Sequence, residues 1–184
     1  MKRLELTNDK YISALMKTDV QDFVAQKRPF QKPDGTYHDV AAAKGFFQAV
    51  LKRPDNTILY HAQPNLIVNG GWDLLCNVLG LNAQPSDITH VAIGTGSTAA
   101  AATQTTLVTE LVRQTATYAH TAGTMSCTFT RNFAAGTGTG ALREAGLFNA
   151  SSGGTMFNRV VFDVINKQAG DILGVTFTIS FQAG

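Results

Sequence analysis

The stretch ILGVTFTISF, Ile172 to Phe181, alternates with a period of two. Leu173, Val175, Phe177, Ile179 and Phe181 fall on one side, and Gly174, Thr176, Thr178 and Ser180 on the other. Successive Cβ atoms of a strand point to opposite faces, so this run reads as a strand with one apolar face. Such a strand must find neighbours for its backbone hydrogen bonds. TMSCTFTRNF supplies a second copy of the pattern: Met125, Cys127, Phe129 and Phe133 alternate with Ser126, Thr128, Thr130 and Asn132. Arg131 interrupts the apolar side near the strand end, placed to reach solvent or a partner. Further strands are expected at Ile58–His61, Asn65–Val68, Ile88–Ile93, Val112–His120, Leu142–Phe148 and Thr155–Val164. Gly136–Gly140 and Ser151-Ser152-Gly153-Gly154 read as turns, the latter as a hairpin connection. The set predicts a mainly β fold, an antiparallel β-sandwich or jelly-roll-like barrel. One helix interrupts it: in GGWDLLCNVLGL, Trp72, Leu75, Cys76 and Leu79 share a face, expected to plug one end of the sandwich.

The N-terminal part has a different period. Ile12, Leu15, Met16, Val20, Phe23 and Val24 repeat every three or four residues, predicting a helix over about Asn8–Gln26 with Thr7 or Asn8 as its cap. Pro29 and Lys32-Pro33-Asp34-Gly35 break it. A second helix is expected where Val40, Ala43, Phe47, Val50 and Leu51 share a face, capped by Asp39 and closed by Pro54-Asp55-Asn56. These expectations divide the chain into a helical or extended arm, residues 1–57, and a β domain, 58–184. Two short amphipathic helices are not stable alone; they pack on the rest of the chain or on a neighbouring subunit.

Charge separates the same two parts. Ten of the fifteen Lys and Arg residues precede Tyr60, and charged residues are only 15% of the chain. A β part this poor in charge suits a surface covered by partners. The net charge of +2 and the sparse Arg113, Arg131, Arg143, Arg159 and Lys167 argue against a nucleic-acid groove. No apolar run approaches the ~20 residues that cross a bilayer, and MKRLELTNDK has no apolar segment behind its basic residues to make a secretory signal. Cys76 and Cys127 read as two buried thiols of a protein made and assembled in a reducing cytoplasm.

Ile88–Leu107, ITHVAIGTGSTAAAATQTTL, contains the one glycine loop that invites a phosphate. It lacks the Lys and the following helix of a P-loop, and it lacks the third glycine and βαβ setting of a dinucleotide site. Gly136–Gly140 fails on the same grounds. His38, His61, His90 and His120 have no metal-ligand spacing, although His90 and His120 could meet on adjacent strands. No G-x-S-x-G is present. Among the few acids of the β part, Glu144 stands out inside LREAGLF, where a structural ion pair with an arginine across the sheet is its expected role. Neither a cofactor nor a catalytic residue is expected.

Several stretches carry a resemblance. Asn65–Gly71, Trp72–Leu81, Ile88–Ala99, Glu144–Ala150, Ser152–Met156 and Leu173–Phe181 follow one another as in a group of tailed-phage structural proteins, the tail and tail-fibre proteins. The chain resembles that group over roughly residues 60–184, and the first 57 or so residues lie outside the match. The resemblance implies a non-enzymatic virion protein, assembled in the host cytoplasm and in contact with copies of itself and other virion proteins. Tail, baseplate or fibre attachment and capsid decoration stand side by side as its place. Candidate subunit contacts are Ile12, Leu15, Phe23 and Phe47 on the arm, and Gly94, Thr95 and Gly96 in the glycine turn. The rival readings are a carbohydrate-binding module for host recognition, which needs exposed aromatics, and a glycan hydrolase, which needs two acids about 5–10 Å apart in a groove.

Overall fold

The computed structural model describes residues 2–4, 42–80 and 86–182. Its strands are β1 (Lys2–Leu4), β2 (Ala42–Lys52), β3 (Ile58–Ile67), β4 (His90–Gly94), β5 (Glu110–Thr115), β6 (Thr117–His120), β7 (Ser126–Phe133), β8 (Gly140–Phe148), β9 (Met156–Lys167) and β10 (Ile172–Gln182). One helix among the described residues, α1 (Asn69–Gly80), follows β3. Every pairing is antiparallel. Nine strands run in the order β5-β4-β8-β9-β3-β2-β10-β7-β6, and β1 adds to β3.

This sheet nearly closes on itself. Its two ends, β5 and β6, are consecutive pieces of one extended segment. β5 pairs with β4 and β6 pairs with β7, and the chain changes partner at Ala116, whose amide donates to the Thr89 carbonyl at 2.7 Å. Arg131 on β7 spans the remaining seam, its Nε donating to Gln114 Oε1 at 2.7 Å. A second corner lies in β3, which pairs with β2 through Asn65 and with β9 from Leu66 onward. Strands that switch partners at a bend are the usual corners of a closed β structure, and closure removes the open edges that invite aggregation.

The interior is built by alternation. Phe47, Ala49 and Leu51 of β2 meet Leu173, Val175, Phe177 and Ile179 of β10, all buried. Phe47 stacks on Phe162 of β9 with ring centroids 4.9 Å apart. β8 is buried on both faces. Its outward side forms a smaller core of Val68, Ala92, Leu107, Phe148 and Met156, roofed by the long connection between β4 and β5.

The antiparallel β architecture agrees with the sequence; the placement of the N-terminal boundary does not. The second expected helix is strand β2, hydrogen-bonded to β3 on one side and β10 on the other. Ala43, Phe47 and Leu51 are four residues apart, a spacing that suits one helix face and one strand face equally. The sheet decides by offering backbone partners along both edges. Lys2–Leu4 and Ala42–Lys52, both within the expected arm, are therefore strands of the sheet, and residue 57 is no boundary. Phe47, a candidate subunit contact from the sequence, lies fully buried in the core. Ile12, Leu15 and Phe23 lie outside the described residues. The expected strands at Ile58–His61 and Asn65–Val68 are one strand, and Val112–His120 is the segment that bends at Ala116.

Candidate functional site: a carboxylate held by the glycine loop

The glycine loop does bind an anion, and the anion is the chain's own Glu144. β8 bulges between Leu142 and Glu144, which turns Glu144 outward into the space beneath the β4–β5 connection. Three backbone amides of that connection converge on its carboxylate. Gly96 N and Thr109 N donate to Oε1 at 3.0 and 2.7 Å, and Val108 N donates to Oε2 at 3.0 Å. Arg159 on β9 completes the set, with Nε and Nη2 donating to Oε2 at 3.0 and 2.8 Å. Both side chains are wholly buried. The rest of the guanidinium holds the loop itself: Nη1 donates to Gln104 Oε1 at 2.8 Å and Nη2 to the Thr98 carbonyl at 2.9 Å.

Glycine is needed here for close approach. A Cβ on Gly96 would come within 2.5 Å of Glu144 Oε1, and one on Gly94 would collide with the Thr109 carbonyl. Burial alone would raise the Glu144 pKa. The amide of Thr109, the Arg159 guanidinium and the amide of Val108 outweigh it and hold the carboxyl below its ordinary value. The carboxylate is thus ionised, saturated with donors and sealed from solvent. A glycosidase acid needs an accessible face toward substrate, and Glu144 has none.

The surroundings carry the same character. Arg113 lies 3.5 Å above the Phe148 ring, pairs with Glu110 at 2.7 Å and donates to the carbonyls of Ala150 and Gly153. Lys167, also buried, donates to the carbonyls of Ala134 and Asp171 at 3.0 and 2.7 Å. Burial lowers its pKa, against the opposing charge of Asp171. His90 and His120 do not meet: His90 hydrogen-bonds with Thr89 at 2.8 Å, and His120 with the Ser126 carbonyl at 2.8 Å. His61 packs against Phe47 and Phe162, and His38 lies outside the described residues. Among the described residues no three His, Cys, Asp or Glu side chains gather as a metal site.

The structure relocates the sequence candidates. Gly94 and Gly96 are buried against Glu144 and Thr95 is half-buried, its amide donating to the Thr109 carbonyl. The glycine turn thus serves an internal contact, and Gly94 and Gly96 offer no surface to a subunit. The expected ion pair of Glu144 is present. Its partner Arg159, and Gln104 behind it, carried no signal in the sequence, because neither lies at a fixed spacing from Glu144. Of the α1 face expected to plug the sandwich, Leu75 packs on the main core together with Leu74, whereas Trp72 and Leu79 are 42% and 89% exposed. Cys76 is exposed on that face and Cys127 is half-buried, so they are not two buried thiols. Compared with known family models, curated proteins and solved structures, the chain matches none.

Proposed function

We propose that this chain is a non-enzymatic structural protein of a tailed-phage virion, docking on copies of itself and on other virion proteins through the outside of its barrel. One observation carries the reading. Four of the six stretches that resemble phage structural proteins meet at the Glu144 clamp and the small core beside it, through Val68, Ala92, Gly96, Thr98, Glu144, Phe148, Gly153 and Met156. These residues hold a loop to a sheet, and every polar group of the clamp is satisfied internally. That is the economy of a building block rather than of an active site. We read the nearly closed barrel, with its two corners, as a sandwich-like module. Trp72 and Leu79, seven residues apart and so on one side of α1, are exposed apolar side chains available for a protein contact.

Cryo-electron microscopy of purified particles tests this by position and copy number. Density for the barrel in the tail, baseplate or fibre attachment, or in many copies on the shell, is the expected result and distinguishes the two placements. Particles without the protein would remove the virion role. A carbohydrate-binding module remains the second reading, favoured by the half-exposed Trp72 beside a cavity of about 320 Å³ that Pro64, Leu66 and Lys44 also line. A glycan-binding screen of the isolated protein addresses it, and saturable binding lost in Trp72→Ala is its expected signature.

A further inference from the structure

Among the described residues, four buried side-chain nitrogen or oxygen atoms lack a hydrogen-bond partner, and two of them are the whole carboxamide of Asn65. Buried amides are normally bonded, and an idle one destabilises the fold that holds it. Asn65 is the last residue of β3 that faces β2, opposite Gly45, and from Leu66 the strand pairs with β9. The alternation that turns Phe47 and Ala49 inward also turns Gly45 inward, and Asn65 opposite it lies on the same side. Glycine makes the room, because a Cβ at position 45 would overlap Nδ2 and Oδ1 of Asn65. The amide borders a cavity of about 320 Å³ that Ala43, Leu66, Ile67 and Trp72 also line. Ligand sites commonly occupy such mouths of β-barrels.

We propose that this cavity binds a sugar carrying an acetamido group, an N-acetylhexosamine, with the Asn65 carboxamide turned into the cavity to meet that group. The inference rests on the carbohydrate reading and names the sugar. A carboxamide presents an acceptor and a donor side by side, and another amide is its complement. The ligand's carbonyl accepts from Nδ2, and its N–H donates to Oδ1. Of the other side chains in the lining, Lys44 and Trp72 only donate, so Asn65 is the one that also accepts. Trp72 is 42% exposed and offers an apolar ring face to the carbons of the sugar. The volume lies at the small end of ligand sites, which span about 300–1,000 Å³, and suits one sugar ring better than an extended peptide. Both amide atoms are already shut off from solvent. Their desolvation therefore falls on folding, and binding restores two hydrogen bonds without removing water from them.

Trp72 is the chain's one tryptophan, so its fluorescence reports on this cavity. The full-length protein is titrated with N-acetylglucosamine and N-acetylgalactosamine, with glucose and galactose, and with N-acetylglycinamide as an analogue of peptide backbone. The expected result is a saturable change in emission with at least one acetamido sugar, roughly tenfold or more tighter than its parent hexose. Asn65→Leu should abolish that response. The same substitution removes both idle polar atoms, so its urea midpoint should be unchanged or raised, which separates lost binding from lost folding. Equal affinity for the parent hexoses would keep the carbohydrate reading and overturn the acetamido assignment. Unchanged preference in Asn65→Leu would remove the amide from recognition and overturn it too. A response to N-acetylglycinamide alone would give the cavity to a peptide. No response to any of the four sugars would also overturn the proposal, and the glycan screen then shows whether carbohydrate binds elsewhere on the protein.

Discussion

At the scale of single residues the Glu144–Arg159 pair dominates the predictions. Removing one member of a buried ion pair leaves the other charge uncompensated, which typically costs about 3–5 kcal/mol. Glu144→Gln should therefore lower unfolding free energy by about that amount in urea titrations at neutral pH. The same pair sets an acid limb. The folded-state pKa of Glu144 is lowered, so its contribution is complete above the unfolded value and is lost as pH falls through the folded one. Stability of the natural protein should decline below about pH 4, and Glu144→Gln should show a flatter decline over that range. Gly96→Ala forces a methyl toward Oε1 and should cost about 1–3 kcal/mol. Gly80→Ala, with open space around the new methyl, should change stability by less than about 0.5 kcal/mol. Equal effects at the two glycines would contradict the cradle.

Among the elements, β2 decides what can be removed. It pairs along its length with β10 and over Gly45–Lys52 with β3, and it contributes Phe47 to the stacked aromatic centre. A truncation of residues 1–57 removes the strand and opens the barrel, so its product should show no cooperative unfolding transition. A truncation of residues 1–41 keeps all nine strands of the closed sheet. It should retain a cooperative transition at a lower denaturant midpoint, because β3 loses its pairing with β1. Circular dichroism during a urea titration of both products checks the contrast, and equal behaviour would contradict the role of β2. The alternation at Ile172–Phe181 was plain because each residue there satisfies only one period. Residues 42–52 were ambiguous because Ala43, Phe47 and Leu51 satisfy both.

For the whole molecule, thiol chemistry distinguishes free from covered surface. Cys76 lies on the exposed face of α1 and Cys127 is half-buried, its pKa raised by burial. Thiolate is the reacting species, so in the free protein maleimide should modify Cys76 quickly and Cys127 slowly. In assembled particles Cys76 should become protected if α1 is a docking face. Unchanged labelling there would move the docking surface to another part of the barrel, such as the exposed Tyr118 and Met125.

The sequence by itself determined the class and most of the elements. Local alternation, glycine turns and the scarcity of charge are properties of short windows, and they sufficed for an antiparallel β protein with one inserted helix. They also sufficed to single out Glu144. Closure, the partner of Glu144 and the fate of α1 depend on contacts between residues far apart in the chain. Arg159 meets Glu144 because β8 and β9 pair across a bulge, Ala116 is a corner because the segment pairs with β4 before it and with β7 after it, and Leu74 and Leu75 pack on the main core while Trp72 is exposed. Only tertiary structure decided these, since pairing register and the competition for buried positions are not encoded in any single window.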